Sequence, residues 1–460
     1  MFWCCHQAPE QVSVPLVYLC SSGRKKEFDS KSASVASSVS QIYSPGKTIP
    51  PVVESLLFDK EPLNVKGDLF LQQAKLPLQC RITASVKEFD ALKLTKLTEH
   101  PLAAISVAAF RQVALVLELD LSKLQNFALA VERLMPNNSY HNAAHIIDVL
   151  QLTYLQITSG PIHEVCRDPI VKLSALLAAL VHDLAHPGCN NAFLMASDHP
   201  IVRKFGRQSP AETMHAAVFK ELISVPEMDF IENLTSNDRQ RVLRYVEATI
   251  LATDMSKHSD YLHADVPSDP EKNELFNLAF AIKVSDMSHN FRSFPVHNKF
   301  VDMLKEEFYH QGEEEQKLHL EVTAGMSRDE TYADVCDFQH HFLSFVIEPL
   351  LQRWSAHSNG SPLVDEMQQC LKQNISIWKM LSVRRAVPEP KDSSKQAQTA
   401  HRSFSKLRLH RFTHAFTQTY GFKSEKCEMK TPVDLSGIRF SPSAMRSLSR
   451  PRLTVPHSSA

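Results

Sequence analysis

The chain has 460 residues, of which 43% are hydrophobic and 22% are charged, an ordinary composition for a globular protein. Its formal net charge of −1 gives no overall field that would attract a polyanion, so no nucleic-acid partner is expected. Only 11 glycines stand against 26 prolines, and neither G-x-G-x-x-G nor the P-loop pattern occurs. Composition therefore argues against a glycine-rich, nucleotide-binding α/β protein.

The nine cysteines are scattered and show no C-x-x-C spacing. This pattern indicates free thiols in a reducing compartment, and it predicts a cytoplasmic location. The first residues lack the features of a signal peptide, and no run reaches the ~18 apolar residues of a membrane-spanning helix. Adjacent Cys4 and Cys5 offer a site for acylation and peripheral membrane attachment, although unmodified thiols are the favoured interpretation.

Residues 1–85 are rich in Ser, Val and Pro and are predicted to be largely disordered, with short apolar segments around Val52–Phe58 and Leu69–Leu76. From Val86 onward, apolar residues recur at helical spacing. The predicted helices are Leu102–Leu119, Leu121–Leu134, His141–Ile157, Pro169–His182, Arg239–Ala252, Glu271–His289, Pro295–Gln311 and Asp329–Trp354. No alternating strand pattern competes, so residues 86–381 are predicted to form one compact all-α domain.

Residues 382–460 are predicted to form a basic, disordered tail. From Ala386 onward, 13 Lys and Arg stand against 5 Asp and Glu, a net charge of +8. Such a tail can contact anionic lipid, nucleic acid or an acidic partner. A solvated tail is the default interpretation, and its partners stay open.

The strongest chemical signal is LVHDLAHPG at residues 180–188. His182 and Asp183 offer a metal ion a neutral nitrogen and a charged oxygen from adjacent positions, and such an aspartate can bridge two ions. Upstream, residues 140–151 read YHNAAHIIDVLQ. His141 and His145 are four residues apart, and this spacing predicts that they are neighbours on one helical face. A lone HD pair is a weak signal, whereas HNxxH followed one helix later by HDxxHPG is specific.

A metal site needs a further protein ligand, and Asp286 is the best candidate. It lies late in a predicted apolar helix, where burial of an unpaired carboxylate is costly and coordination of a cation removes that cost. Two imidazoles with carboxylates suit Zn, Mn or Fe better than Ca. The oxygen-rich remainder predicts a second, harder ion such as Mg²⁺, reached through Asp183.

Two ions about 3.5–4 Å apart that share a deprotonated water are suited to in-line attack on a phosphodiester. His141, expected one helical turn before His145, would then protonate the leaving oxygen. Isolated histidines on apolar faces are more often hydrogen-bonded core residues than ligands. That interpretation applies to His199, His215, His258, His297 and His319.

In order along the chain, these motifs resemble the catalytic domain of the class I cyclic-nucleotide phosphodiesterases, a helical fold of the HD superfamily. The resemblance runs from Val86 to about Leu381. The matching segments are YHNxxHxxDVxQ at Tyr140–Gln151, HDxxHPGxxNxFL at His182–Leu194, LATDMSKH at Leu251–His258, SDMS at Ser285–Ser288, EEFYHQG at Glu306–Gly312 and DFQHHF at Asp337–Phe342.

The resemblance implies a role for each matched residue. Zinc would be held by His145, His182, Asp183 and Asp286, and Asp183 would also reach a magnesium ion, with manganese as an alternative there. The residues that would orient the waters of this second ion are His186, Glu212 and Thr253. His141 would be the general acid. Gln339 would bind the purine edge while Phe342 and Leu304 enclose the ring, and the other substrate contacts would be Tyr140, Met255 and His289.

The implied reaction is hydrolysis of a 3',5'-cyclic nucleotide to the 5'-monophosphate by a hydroxide activated by two metal ions. Lys283 and the stretch Glu306–Leu320 are most similar to the cAMP-preferring branches, so cAMP is predicted over cGMP. The chain also departs from the family pattern. Ala185 replaces the second acid of HDxDHPG, residues 213–215 read TMH where NHH is common, and His289 stands where an Asn commonly contacts adenine.

Two other functions stay open. An HD-superfamily nucleoside triphosphate hydrolase would share the HD pair, but it would not need HNxxH, or Gln339 with Phe342. A catalytically inactive scaffold could keep the fold and bind cyclic nucleotide, yet it has no physical reason to retain the charged ligands. Product release from cAMP, cGMP and dGTP, with and without a chelator, separates the three.

Overall fold

The fold is built from α-helices that enclose one large apolar core and a second, smaller apolar cluster. The computed structural model describes residues 69–358 and 360–384. Within these ranges every element of regular secondary structure is a helix or a helical turn. The predicted all-α class is therefore confirmed.

The first helices are α1 (Leu69–Lys75), α2 (Ala91–Leu94), α3 (Pro101–Val116), α4 (Leu121–Leu134), α5 (Ala143–Thr158), α6 (Pro169–Val181), α7 (Asn191–Ala196) and α8 (Pro200–Phe205). They are followed by α9 (Pro210–Ile223), α10 (Ser236–Ala252), α11 (His258–His263), α12 (Pro270–Asp286), α13 (Phe294–Lys317), α14 (Tyr332–Phe342), α15 (Glu348–His357) and α16 (Pro362–Arg384). Short 3₁₀ turns occupy Leu78–Cys80, Val165–Arg167, Met255–Lys257 and Ser288–Phe291, and a π turn occupies Leu343–Ile347.

Helix α6 lies at the centre of the fold because it is apolar on every side. Of its 13 residues, 11 are buried, and a helix of this kind must be enclosed by others. Helices α3, α5, α10 and α12 pack against it. Asp168 caps its N-terminus by accepting a hydrogen bond from the N–H of Ile170 at 2.8 Å, and Pro169 occupies the first helical position. The other end of α6 delivers His182 into the protein interior.

The start of α5 differs from the predicted start in a way that affects the site. The Asn142 side chain accepts a hydrogen bond from the N–H of Ala144 at 2.8 Å, so Asn142 is the N-cap and the helix begins at Ala143. His141 therefore precedes the helix. The prediction that His141 and His145 are neighbours on one helical face is wrong, although their rings do lie close together, with centroids 5.6 Å apart.

Two other predicted helices are interrupted. The helix predicted over Glu271–His289 ends at Asp286, and His289 lies on the following 3₁₀ turn. The helix predicted over Asp329–Trp354 is divided into α14, the π turn and α15. Pro349 explains the division, because it has no N–H to donate to the carbonyl of Phe345 and its ring crowds that carbonyl.

Helix α1 falls in the apolar segment predicted around Leu69–Leu76. Leu69 is fully buried. The Gln73 side chain donates to the carbonyl of Cys80 at 3.2 Å and accepts from the N–H of Ile82 at 3.3 Å. The packed helices thus begin ahead of Val86. The segment Val52–Phe58, the pair Cys4 and Cys5, and the basic tail beyond Arg384 lie outside the described residues.

Helices α9 and α16, which the sequence patterns did not single out, complete the enclosure of the core. Across the part of the chain that the structure describes, every helix is too short or too polar to cross a bilayer.

Candidate metal centre and active site

The predicted metal ligands meet where one helix begins and two helices end. His145 lies in the first turn of α5, His182 is the C-cap of α6, and Asp286 is the last residue of α12. Asp183 directly follows His182. One ligand atom from each of the four side chains lies within 4.8 Å of the others. Helix C-termini carry partial negative charge, so two carboxylates at such ends are unfavourable unless a cation joins them.

The donor atoms converge on a common point. His145 Nε2 lies 3.2 Å from Asp183 Oδ2 and 3.1 Å from Asp286 Oδ1. His182 Nε2 lies 3.2 Å and 3.4 Å from the same two oxygens. Both Nε2 atoms are buried and have no hydrogen-bond partner. Two otherwise unsatisfied imidazole nitrogens that face two carboxylate oxygens are the donor set of a tetrahedral zinc site, so these residues fit the ion.

The electrostatics of the cluster agree with this donor set. Burial lowers the pKa of His145 and of His182, but Asp183 and Asp286 outweigh burial and raise both pKa values above the usual range. Burial raises the pKa of each of the two carboxyls, but the histidines outweigh it and hold both pKa values below their usual range. The negative field that raises the histidine pKa values also favours a divalent cation.

Backbone carbonyls orient the imidazoles around Asp183. His182 Nδ1 donates to the carbonyl of Ala179 at 3.1 Å, which turns Nε2 toward the carboxylates. His215, on α9, donates from Nδ1 to the carbonyl of Leu184 at 2.7 Å, and its Nε2 lies 3.8 Å from Asp183 Oδ1. Burial lowers the pKa of His215 to about 4, so the ring is neutral and presents a lone pair at Nε2.

His215 is a site residue that the sequence interpretation missed. It is buried, as expected for a core histidine, but it faces Asp183 as well. Asp183, His186 and His215 form a second group of donor atoms within 4.8 Å of one another. The available signal was the position of His215 at the end of the TMH run, where the family commonly has NHH.

Glu307, on α13, holds His141 in place. Its Oε2 accepts the backbone N–H groups of Tyr140 at 2.8 Å and His141 at 3.0 Å, and its Oε1 accepts a hydrogen bond from His141 Nδ1. Burial lowers the pKa of His141, but the charge of Glu307 outweighs burial and raises this pKa to about 9. Burial raises the pKa of Glu307, but His141 outweighs it and lowers this pKa to about 2. His141 is therefore a protonated imidazole that has a second N–H to donate.

His186 lies flat against His141, with ring centroids 3.8 Å apart and an interplanar angle of 22°. The N–H of Gly188 donates to His186 Nδ1 at 3.1 Å, so the proton of the neutral ring is on Nε2. Burial first, and then the charge of His141, keep the pKa of His186 well below its usual value. Asn138 Nδ2 joins the two segments by donating to the carbonyls of His141 at 3.2 Å and His186 at 2.9 Å.

The other two residues predicted to orient the waters of a second ion border the same region. Glu212, in the first turn of α9, accepts a hydrogen bond from Asn191 Nδ2 at 2.9 Å, and burial and the charge of Asp254 raise its pKa to about 7. The Thr253 hydroxyl donates to the carbonyl of Ile250 at 2.8 Å, and the Thr253 carbonyl accepts a hydrogen bond from Lys283.

Lys283 fixes the position of this carbonyl. It is 1% exposed, and its Nζ donates to the carbonyls of Ala252 at 3.3 Å, Thr253 at 3.4 Å and Asp254 at 3.1 Å. A cation at the C-terminal end of α10 is favoured by the helix dipole. Burial nevertheless lowers the pKa of Lys283 to about 8.

Of the predicted substrate contacts, Tyr140 lies beside the metal-cluster residue His145, and His289 lies beside Tyr140. The Tyr140 ring centroid is 4.9 Å from the rings of His141 and His145 and 5.7 Å from the ring of His289. The other predicted contacts belong to other elements, and their part in a purine pocket stays a prediction. They are buried Gln339 and Phe342 on α14, part-buried Leu304 on α13 and part-buried Met255 on the 3₁₀ turn after α10.

Fold and site together describe a helical protein in which two histidines and two aspartates form a cluster that could hold a metal ion. The family model described as 3'5'-cyclic nucleotide phosphodiesterase matches residues 140–373, just over half of the chain. This chain belongs to that family.

Individual relatives agree with the assignment. A Caenorhabditis elegans protein named "Probable 3',5'-cyclic-AMP phosphodiesterase pde-4" is 27% identical over 300 residues, which cover 61% of this chain and 44% of that protein. A Dictyostelium discoideum protein named "cGMP-specific 3',5'-cGMP phosphodiesterase 3" is 29% identical over 282 residues, 59% of each protein. The chain thus spans about half the length of these relatives.

The fold has a solved counterpart in the phosphodiesterase domain of the RhoPDE fusion protein from the choanoflagellate Salpingoeca rosetta. The two superpose with a TM-score of 0.59 at 25% sequence identity, and the match covers 69% of this chain and 99% of that domain.

Proposed function

We propose that this protein hydrolyses a 3',5'-cyclic nucleotide to the 5'-monophosphate. One observation carries the proposal: a four-ligand metal cluster lies beside His141, an imidazole that Glu307 keeps protonated. Membership of the phosphodiesterase family supports the same reaction. A metal cluster alone would serve many hydrolases, but the added proton donor suits a reaction in which an alkoxide leaves.

His145, His182, Asp183 and Asp286 would hold zinc, and Asp183 would also reach a second ion, magnesium or manganese. When bound, the two cations would supply Lewis-acid activation of the phosphate and of water. The carboxylates offset the positive charge of the ions. The imidazoles are held by carbonyl hydrogen bonds, so little reorganisation is needed at the site.

His141 acts as the general acid. Its Nδ1–H is engaged by Glu307, so its Nε2–H is the proton that can be transferred. Hydrolysis forms a bond between phosphorus and the oxygen of water and breaks the bond between phosphorus and the 3' oxygen. Nε2 gives its proton to the 3' oxygen, and the proton that water loses restores the protonated imidazole. Glu307 stabilises the imidazolium before transfer and holds the ring through both Tyr140 and His141 backbone amides. His186 Nε2–H, the Glu212 carboxyl and the Thr253 carbonyl would orient water around the second ion.

Purine binding is assigned to Gln339, Phe342 and Leu304, and cAMP is proposed as the preferred nucleotide. The preference rests on the resemblance around Lys283 and Glu306–Leu320, since one relative is named for cAMP and another for cGMP. We expect Gln339→Ala to raise KM about ten- to a hundredfold, the effect of about 1–3 kcal/mol for an unpaired buried polar group. Phe342→Ala should weaken both nucleotides alike, because stacking does not depend on the base edge.

The deciding experiment measures product release by the purified full chain from cAMP, cGMP and dGTP, with and without a chelator. We expect 5'-AMP to form faster than 5'-GMP, no turnover of dGTP, and loss of activity with chelator that added zinc and magnesium restore. Release of phosphate or triphosphate from dGTP would indicate an HD-type triphosphate hydrolase. Binding of cyclic nucleotide to the metal-loaded protein without turnover would indicate an inactive scaffold.

A cytoplasmic location is proposed from cysteine usage. The five cysteines in the described part of the chain are free thiols, and four of them are buried. Association with a membrane through Cys4 and Cys5 would be tested by metabolic labelling of the full chain with a palmitate analogue.

A further inference from the structure

Three buried side chains form a hydrogen-bonded relay that ends beside the metal centre. The indole N–H of Trp378, on α16, donates to His297 Nε2, on α13, at 2.8 Å. His297 Nδ1 faces His289 Nδ1 at 3.1 Å. The exposed fractions of Trp378, His297 and His289 are 1%, 0% and 5%. The hydrolytic mechanism proposed above uses neither Trp378 nor His297.

The two imidazoles are placed edge to edge rather than face to face. Their planes differ by only 14° and their centroids are 5.1 Å apart. The Nδ1 atoms of the two rings are only 3.1 Å apart, closer than the planes of stacked rings, so the nitrogen of one ring is directed at the nitrogen of the other. The contact between His289 and His297 is thus an N–H···N hydrogen bond in the ring plane.

The chemistry of the donors determines which nitrogens carry protons. An indole N–H can only donate, so His297 Nε2 must be the unprotonated nitrogen. The proton of a neutral His297 is then on Nδ1, from which it is donated to His289 Nδ1. That atom acts as an acceptor, and the proton of His289 is consequently on Nε2, at the ring edge that faces away from His297.

Both rings must be neutral for this assignment, and their surroundings keep them so. Burial lowers the pKa of His297 to about 3. Burial, followed by the neighbouring His297, holds the pKa of His289 well below its usual range. A proton added to His297 Nε2 would face the indole N–H of Trp378, and a proton added to His289 Nδ1 would face the N–H of His297. Either arrangement places two donors against each other and is unfavourable.

His289 lies close to the site. Its ring contacts that of Tyr140 at 5.7 Å between centroids, and Tyr140 in turn contacts the metal ligand His145 at 4.9 Å. Phe300 covers the His289 ring at 5.5 Å. His289 is therefore separated from the ligand set by a single side chain, and both of its neighbours restrict rotation of the imidazole.

We propose that Trp378 and His297 are positioning residues that lock His289 as an Nε2–H donor toward the base of the bound nucleotide. The inference rests on the proposed function, because it requires that the purine of a bound cyclic nucleotide lie next to His289. A fixed donor matches O6 of guanine and opposes the 6-amino group of adenine, so it distinguishes the two purines at this position. The relay thereby limits how the base can be turned in the site.

The test uses Trp378→Phe, which removes the N–H and keeps an aromatic ring. Without the indole donor, His297 can carry its proton on either nitrogen, and His289 is no longer held in one tautomer. Trp354→Phe is the matched control. Trp354 is also fully buried, but its indole N–H has no hydrogen-bond partner, so the same substitution removes equal volume and no hydrogen bond.

The first readout is the ¹⁵N NMR shift of the histidine rings in the full chain, with His289→Asn used to identify the signal. We expect a protonated Nε2 and an unprotonated Nδ1 for His289 in the wild type and in Trp354→Phe. In Trp378→Phe we expect the two shifts to move toward each other. A wild-type His289 with its proton on Nδ1 would overturn the proposal whether or not the variants fold.

The second readout is the ratio of kcat/KM for cAMP and cGMP. In Trp378→Phe this ratio should change by about three- to tenfold, the range for one neutral hydrogen bond. The change should arise from KM while kcat stays close to wild type, and Trp354→Phe should keep the wild-type ratio. An unchanged ratio in Trp378→Phe, or an equal change in both variants, would overturn the proposal. A wild type that hydrolyses neither nucleotide would instead refute the proposed function, and the NMR shifts would still decide the relay.

Discussion

Replacing Glu307 by Gln is the sharpest test of how the site controls its proton donor. The substitution removes one negative charge and nearly preserves shape. The amide oxygen of Gln can still accept the backbone N–H groups of Tyr140 and His141, which Glu307 Oε2 accepts at 2.8 and 3.0 Å. What disappears is the charged partner of His141 Nδ1. The variant therefore separates the charge of Glu307 from its role in holding the backbone.

The direction and size of the effect follow from the pKa of His141, which Glu307 raises to about 9 against the opposing effect of burial. An opposite charge in hydrogen-bond contact shifts a pKa by roughly 1–3 units, each unit being about 1.4 kcal/mol. The proposed general acid His141 would be active when protonated, below its pKa, so its deprotonation is expected to appear as a decline of the rate at alkaline pH. We expect Glu307→Gln to move that decline to lower pH by roughly 1–3 units.

The assay is kcat/KM for cAMP from neutral to alkaline pH, together with metal content by mass spectrometry. Glu306→Gln is the matched control on the same helix, because Glu306 is part-exposed and accepts from Arg328 at 2.6 Å instead of from His141. Its pH profile should equal that of the wild type. If Glu307→Gln keeps its full metal content and declines at the wild-type pH, the assignment of His141 as an acid controlled by Glu307 is wrong.

Three further substitutions probe other parts of the site and fold. Asp286→Ala should lose bound zinc and turnover together, since one of four ligands is removed, and a variant with normal zinc content would contradict the ligand assignment. His141→Ala should retain metal and slow turnover by roughly 10²–10⁴-fold in steady-state assays, whereas loss of metal would make His141 a ligand. Arg292→Met should lower the free energy of unfolding in urea by about 3–5 kcal/mol, because it leaves the buried carboxylate of Asp148, 2.9 Å from Arg292 Nε, without its charged partner. Arg328, which pairs with Glu306 at the surface, provides the comparison. Arg328→Met should lower the free energy of unfolding by less than about 1 kcal/mol, and an equal loss in both variants would refute the argument from burial.

Sequence alone was sufficient where residue type and local spacing carry the information. Helix α6 is predictable because a run of apolar residues bounded by Asp168-Pro169 leaves few alternatives, and its end at His182 follows from the same pattern. The four ligands could be selected because two histidines and two aspartates at family spacing have few structural uses. Local pattern failed at one helix start and one helix break, where Asn142 supplies a capping hydrogen bond and Pro349 lacks the backbone N–H that would continue the helix.

Only the tertiary structure decided which distant groups meet. Glu307 and His141 are 166 positions apart, and Trp378 and His297 are 81 apart. No local period links such pairs, because their contact depends on how α13 and α16 pack against the rest of the core. The same packing excludes water, and this strengthens the effect of Glu307 on His141 and fixes the protons of His289 and His297. Residue type thus predicted the metal-binding cluster, while burial and long-range packing shift the pKa values of the histidines beside it.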